Sequence, residues 1–203
     1  MKKQVGYWLF CALCICSCSR EADPCALTGA PDCGPDDWNS SLYVLPYPSG
    51  DSYVVNQGNH NPCGGHQGAY EYGYDFSMPI GSVVIASRAG VVTEIRNSHP
   101  DGEQLIPGNE NLVKILHVDG TTAGYSHLKQ YSVVVKTGQE ILQGDTLGLS
   151  GNSGNTGNFP HLYFHLATCD EPTTAGCATL LVKFRNTRPN PCGLIMGESY
   201  EAQ

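Results

Sequence analysis

No stretch of this chain places apolar residues at helical spacing over several turns, and its apolar runs are short and separated by glycine, proline and polar turns. That rhythm most constrains the fold. The runs are Val83-Val84-Ile85-Ala86, Val91-Val92-Thr93-Glu94-Ile95, Leu112-Val113-Lys114-Ile115-Leu116 and Ala123-Gly124-Tyr125-Ser126-His127-Leu128, followed by Tyr131 to Val135, Thr146 to Leu149, His161 to Ala167 and Leu180 to Phe184. Runs of this length, rich in β-branched and aromatic residues, predict the strands of an all-β, mostly antiparallel sheet or sandwich joined by hairpins. With 24 Gly and 13 Pro the connections have ample turn residues, and no repeat of fixed period is visible. Ser98 to Asn111, with Pro100, Gly102, Pro107 and Gly108, is a long polar loop placed to border a groove.

The chain has 203 residues and a formal net charge of −8. Lys2 and Lys3 precede an apolar run from Val5 to Cys16 that is short for a membrane span, the pattern of an export signal. Without that segment the charge is more negative still, so nucleic acid is excluded as a natural partner. Ile15-Cys16-Ser17-Cys18 resembles the lipobox of bacterial lipoproteins. The resemblance implies a signal peptide over 1–17, lipidation of Cys18 and a membrane anchor made of lipid. Ser19 after that cysteine is similar to lipoproteins sorted to the outer membrane, which implies a protein facing the periplasm. Residues 18–41, with Pro24, Pro31 and Pro35, read as a tether, and the folded domain as 42–203. Beyond the lipobox lie Cys25, Cys33, Cys63, Cys169, Cys177 and Cys192, an even set suited to an oxidising compartment. Six cysteines allow fifteen pairings; Cys169 and Cys177, either side of a Pro/Thr/Gly turn, are the candidate local disulfide.

The chemistry concentrates in His161-Leu162-Tyr163-Phe164-His165. Side chains alternate along a strand, so His161, Tyr163 and His165 share one face. Upstream come Tyr74-Asp75-Phe76-Ser77-Met78-Pro79-Ile80-Gly81, Ala86-Ser87-Arg88-Ala89-Gly90-Val91-Val92 and Tyr125-Ser126-His127-Leu128, and then Gly138-Gln139, Ser150-Gly151-Asn152-Ser153-Gly154 and Pro160-His161. In this order the motifs resemble the lysostaphin-type zinc endopeptidases, which cut peptide cross-links of bacterial cell walls. The likeness covers about residues 60 to 200.

The resemblance implies a zinc ion held by His66 and Asp75, with His127 and His161 serving catalysis. It implies a cell-wall peptide or protein as substrate. Tyr163 stands where the third ligand of the family stands. A phenol keeps its proton to a pKa of about 10, and a catalytic zinc site needs three protein ligands and a water. His165 lies two residues on, about 6–7 Å away at roughly 3.3 Å per residue, so it takes the place only with a bulge or register shift. Tyr163 and His165 are thus the two candidates for the third ligand. Two functions follow from the resemblance: a zinc endopeptidase acting on peptidoglycan peptides, or an inactive relative that binds or regulates cell-wall hydrolases as partners. Tyr70, Tyr72, Tyr74, Tyr125 and Tyr131 are available either to line a groove or to pack a core.

Overall fold

The structure is a computed structural model describing residues 33, 37–59, 61, 65–102, 108–170, 172 and 176–203. The expected signal segment, most of the expected tether, and Cys18, Cys25 and Cys63 lie outside the described residues.

The described strands in chain order are β1 Ser52–Gln57, β2 Tyr74–Phe76, β3 Val83–Ile85, β4 Gly90–Arg96, β5 Leu112–Leu116, β6 Thr122–Ser126, β7 Glu140–Ile141, β8 Thr146–Leu149, β9 Leu162–Ala167 and β10 Ser199–Glu201. Eight form one antiparallel sheet in the order β10-β1-β2-β9-β6-β5-β4-β7, while β3 pairs with β8. Helix among the described residues is limited to single 3-10 turns at Trp38–Ser40 and Gly68–Tyr70. The all-β, antiparallel architecture expected from the apolar runs is the observed one.

Alternation separates two faces. On one, Val113, Tyr125, Phe164 and Tyr74 sit opposite one another across β5, β6, β9 and β2, all fully buried. Their core takes in Phe76, Leu162, Phe184, Met78 and Tyr47. Each such side chain contributes about 1.5–3 kcal/mol by leaving water. Two of the candidate groove tyrosines are therefore core residues. The Tyr74 hydroxyl donates to the Val182 carbonyl at 2.9 Å and accepts from Asn59 Nδ2 at 2.8 Å. That of Tyr125 accepts from the Ser87 N–H at 2.8 Å. Tyr131 is 73% exposed, and of the five it is Tyr70 that lines the cleft on the opposite face.

That opposite face carries one continuous row, Gln57, Asp75, Tyr163, Ser126, Leu112 and Arg96, each opposite the next on β1, β2, β9, β6, β5 and β4. A second row beside it runs His165, Gly124, Lys114 and Glu94.

Two expected strands are absent. Tyr131 to Val135 begins with a left-handed residue, Tyr131 at φ 57°, and its amides reach Asn97 and Leu147 irregularly. Leu180 to Phe184 packs as coil, with the Phe184 amide donating to Asn190 Oδ1 at 2.8 Å. Cys169 is bonded to Cys177, as the local spacing suggested, and Cys33 to Cys192, which fastens the start of the described chain near its end.

Candidate functional site

Four of the sequence-predicted residues meet over the first row of the polar face. His66, Asp75, His127 and His161 line one cleft of about 380 Å³, together with Gln57, Tyr163 and the Asn155-Thr156-Gly157 loop. Asp75, on β2, is buried at its centre. Its Oδ1 lies 3.2 Å from His66 Nε2 and 3.7 Å from His161 Nε2, and its Oδ2 accepts from Gln57 Nε2 at 2.6 Å. Burial alone would raise the Asp75 carboxyl. The His66 hydrogen bond and the surrounding histidines outweigh it and hold the group below the usual carboxylate range.

The two central imidazoles are fixed by carbonyls. His127 Nδ1 is 2.8 Å from the Ser153 carbonyl and His161 Nδ1 is 2.7 Å from that of Phe159. A carbonyl only accepts, so each Nδ1 carries a proton and each Nε2 is left for other partners. The two rings lie 4.6 Å apart. Burial, then the neighbouring His161, pushes His127 down to about 4, so it is neutral at physiological pH.

Local backbone irregularity places several of these groups. After Tyr125 in the core and Ser126 on the polar face, strict alternation would send His127 inward. Its φ of 64° breaks the strand and returns the imidazole to the cleft. Between Val55 and Gln57 a register shift in β1 turns Gln57 from the core face to Asp75, and a shift between Val92 and Glu94 does the same for Glu94 and Arg96. Gln57 had no sequence signal, because a bulge leaves no composition mark.

Tyr163 faces Asp75 directly in the β2–β9 pairing. Its ring lies over Gly73: a Cβ there would sit 2.5 Å from Tyr163 Cε2 and 2.9 Å from its hydroxyl oxygen. The ring stands 5.3 Å from that of His66 and 5.1 Å from that of His165. His165, two residues along the same face, lines a neighbouring cavity rather than the Asp75 cleft, its ring lying over Gly124.

These positions bear on zinc. His66 Nε2 and Asp75 Oδ1 stand at the separation of two donors on one metal ion, and the Gln57 hydrogen bond is of the kind that orients a ligating carboxylate. Among the described residues no group of three or more His, Cys, Asp and Glu side chains is placed to hold a metal ion. His66 Nδ1, buried, has no hydrogen-bond partner among the described residues of the kind that steadies a ligating imidazole. Two donors of a catalytic zinc are thus side by side, and at the third position stands a phenol, a weak ligand while it keeps its proton.

The fold and this row of residues define a peptidase-type domain, and comparison with known proteins gives the family. Residues 69–174, more than half of the chain, match peptidase family M23, and the chain belongs to it. This is a family of metallopeptidases that includes lysostaphin. The matched segment holds Asp75, His127, His161, Tyr163 and His165, and His66 lies upstream of it. Peptidoglycan DD-endopeptidase ShyA of Vibrio cholerae is 39% identical over 103 residues, covering 51% of this chain and 21% of that protein. Cell division protein DipM of Caulobacter vibrioides is 33% identical over 94 residues, covering 46% of this chain and 14% of that one. The chain thus matches less than a quarter of the length of either relative. The solved structure of pseudoalterin, an M23 metalloprotease, superimposes with a TM-score of 0.50 at 20% identity over 73% of this chain and 81% of that one, which shows a common fold.

Proposed function

We propose that this M23 domain binds peptidoglycan peptides in the cleft over Asp75, His127 and His161 without hydrolysing them through zinc. One observation carries the reading: at the position facing Asp75 stands Tyr163, seated on Gly73, in place of a third metal ligand. What the cleft retains is a set of hydrogen-bond acceptors. Asp75 Oδ1 and the lone pair on His127 Nε2 suit the N–H groups of an extended peptide, and the loop at Asn155 to Gly157 leaves room for its backbone. Its relatives support peptidoglycan as the source of that peptide. One of them is named for endopeptidase activity and another for cell division.

The second reading is a zinc endopeptidase acting on the same peptides. It is favoured by the 3.2 Å His66–Asp75 pair and by the two histidines with anchored tautomers. Zinc analysis of the protein purified from the periplasm, paired with assays on isolated wall peptides, separates the two. Binding of peptide with no zinc and no cleavage is expected. About one zinc per chain with cleavage would replace the first reading by the second.

We propose further that the domain is exported and held at the outer membrane by lipid on Cys18, where partner cell-wall hydrolases would be within reach. Retention of a Cys18→Ser variant in the membrane fraction would refute that anchor.

A further inference from the structure

The cleft does not end at Tyr163. A second cavity of about 470 Å³ shares Tyr70, His127, Asn155 and Tyr163 as walls with the first and continues over the same face of the sheet. Small-molecule sites run from about 300 to 1,000 Å³, so it has room for a ligand group of its own. Recognition by the backbone is closed to that group: β9, β6 and β5 beneath it are each paired on both sides, and their amides and carbonyls are used within the sheet. Whatever enters is met by side chains.

The charged side chains neutralise one another. Arg96, Lys114 and Glu110 line the cavity, and Glu94 stands behind them. Glu94 Oε2 is 2.9 Å from Lys114 Nζ and its Oε1 is 2.9 Å from Arg96 Nε. Arg96 Nη1 is 2.9 Å from Glu110 Oε1 and donates to the Gly108 carbonyl at 3.0 Å. Two cations against two carboxylates leave no net charge, so an ionic group entering here would lose its hydration with no counter-charge to replace it. The cavity suits a neutral ligand.

Neutral hydrogen-bonding capacity is what remains. Ser126, on β6 opposite Tyr163 of β9 and Leu112 of β5, is 8% exposed and lines the cavity, and its hydroxyl has no hydrogen-bond partner among the described residues. Proteins seldom leave a buried hydroxyl unpaired, so its partner comes from what fills the cavity. Asn155, exposed on the wall common to both cavities, adds a carboxamide that both donates and accepts. Two tyrosine rings, Tyr70 and Tyr163, complete that wall. A pyranose has the matching complement: hydroxyls around its rim that each donate and accept, and apolar C–H faces that pack on aromatic rings.

We infer that the second cavity is a subsite for a neutral sugar ring of the wall glycan, the strand that carries the peptide bound in the first cleft. Ser126 and Asn155 bond its hydroxyl and acetamido groups, and Tyr70 and Tyr163 pack against it. Asp75 on β2 and Ser126 on β6 are two strand spacings apart, roughly 10 Å, which about three extended residues span. The peptide group over Asp75 therefore belongs to the sugar-proximal end of the stem. This inference rests on the cleft binding wall peptides and names which ones: stems still attached to glycan, in preference to free peptides.

The test is calorimetric titration of the disulfide-intact protein with a free wall stem peptide and with the same peptide attached to its N-acetylated disaccharide. Tighter binding of the glycopeptide by about 10- to 100-fold is expected, the worth of about one to three net hydrogen bonds. Ser126→Ala removes a hydroxyl that bonds nothing else among the described residues, so it should fold as wild type, reduce the glycopeptide's advantage by about 3- to 10-fold and leave the free peptide unchanged. Chitotriose, an oligomer of acetylated sugar, should lower the glycopeptide's affinity to that of the free peptide, and cellotriose, which lacks acetamido groups, should not. Displacement by both alike would overturn the assignment to wall glycan. Equal affinity for the free and the sugar-bearing peptide would overturn the sugar subsite and leave the peptide-binding reading standing. Binding of neither would remove both.

Discussion

Replacing Tyr163 by histidine probes the reading of the cleft most directly. Tyr163 is opposite Asp75, and facing residues in an antiparallel pair have Cβ atoms about 4.5–5.5 Å apart. An imidazole there would stand beside the Asp75 carboxylate and the His66 ring. Loss of an outer-shell partner alone costs a metal site about 10- to 100-fold in affinity, so a new inner-shell donor should raise zinc affinity by more than about 100-fold. The substitution also removes a phenol ring from over Gly73, which should lower stability without metal by about 1–3 kcal/mol. Zinc at 100 times its dissociation constant would return about 2.7 kcal/mol, or roughly 5–10 °C in melting temperature for a domain of this size. Competition against a chromophoric chelator and thermal melts with and without zinc measure both effects. A folded Tyr163→His variant that binds zinc no better than wild type would refute the argument, because His66 and Asp75 would then not be two-thirds of a metal site.

Two other expectations concern the second row. Gly124→Ala drives a methyl into the His165 ring and should cost about 1–3 kcal/mol in denaturant unfolding, much of it recovered in the Gly124→Ala, His165→Ala double variant. A strictly additive double variant would show that the contact is not the cause. His165 is held down to about 4 by burial first and then by Lys114, against about 6.5 in an unfolded chain. As pH falls from 6.5 toward 4 the unfolded chain takes up the proton and the folded one does not. Stability contributed by this group is therefore full above 6.5 and is lost on acidification, by up to about 1.4 kcal/mol per pH unit. His165→Gln should flatten that part of the curve; an unchanged slope would assign the acid lability elsewhere.

The strands most legible in the sequence are those whose alternation is regular. Leu112 to Leu116, Thr146 to Leu149 and the body of His161 to Ala167 appear nearly as read. Beneath the same composition, Tyr131 to Val135 and Leu180 to Phe184 are apolar because they pack, and their amides bond outside any ladder. The edge strand β10 and its neighbour β1 escaped notice, since most residues of Ser52–Gln57 and Ser199–Glu201 are polar and only Val55 and Tyr200 are buried. At the site, motif order brought His66, Asp75, His127 and His161 to one cleft. What it left out was geometry made by irregularity: the bulges that deliver Gln57, Glu94 and Arg96, and the left-handed His127. The second cavity was hidden for another reason, because Lys114 within an apolar run reads as an ordinary surface position until its strand is seen to be central.

The two-faced sheet also bears on how such a chain can change over time. Leu162, Phe164 and Leu166 keep the core while Tyr163 and His165 between them face the clefts. A codon change at either cleft position rewrites the chemistry of the groove and leaves its scaffold untouched. Gly73 and Gly124 are the permissive partners, each admitting a larger ring from β9 by offering no side chain of its own. A lineage that first acquired those glycines would have been free to exchange a metal ligand for an aromatic surface in one step, and could reverse the exchange as easily.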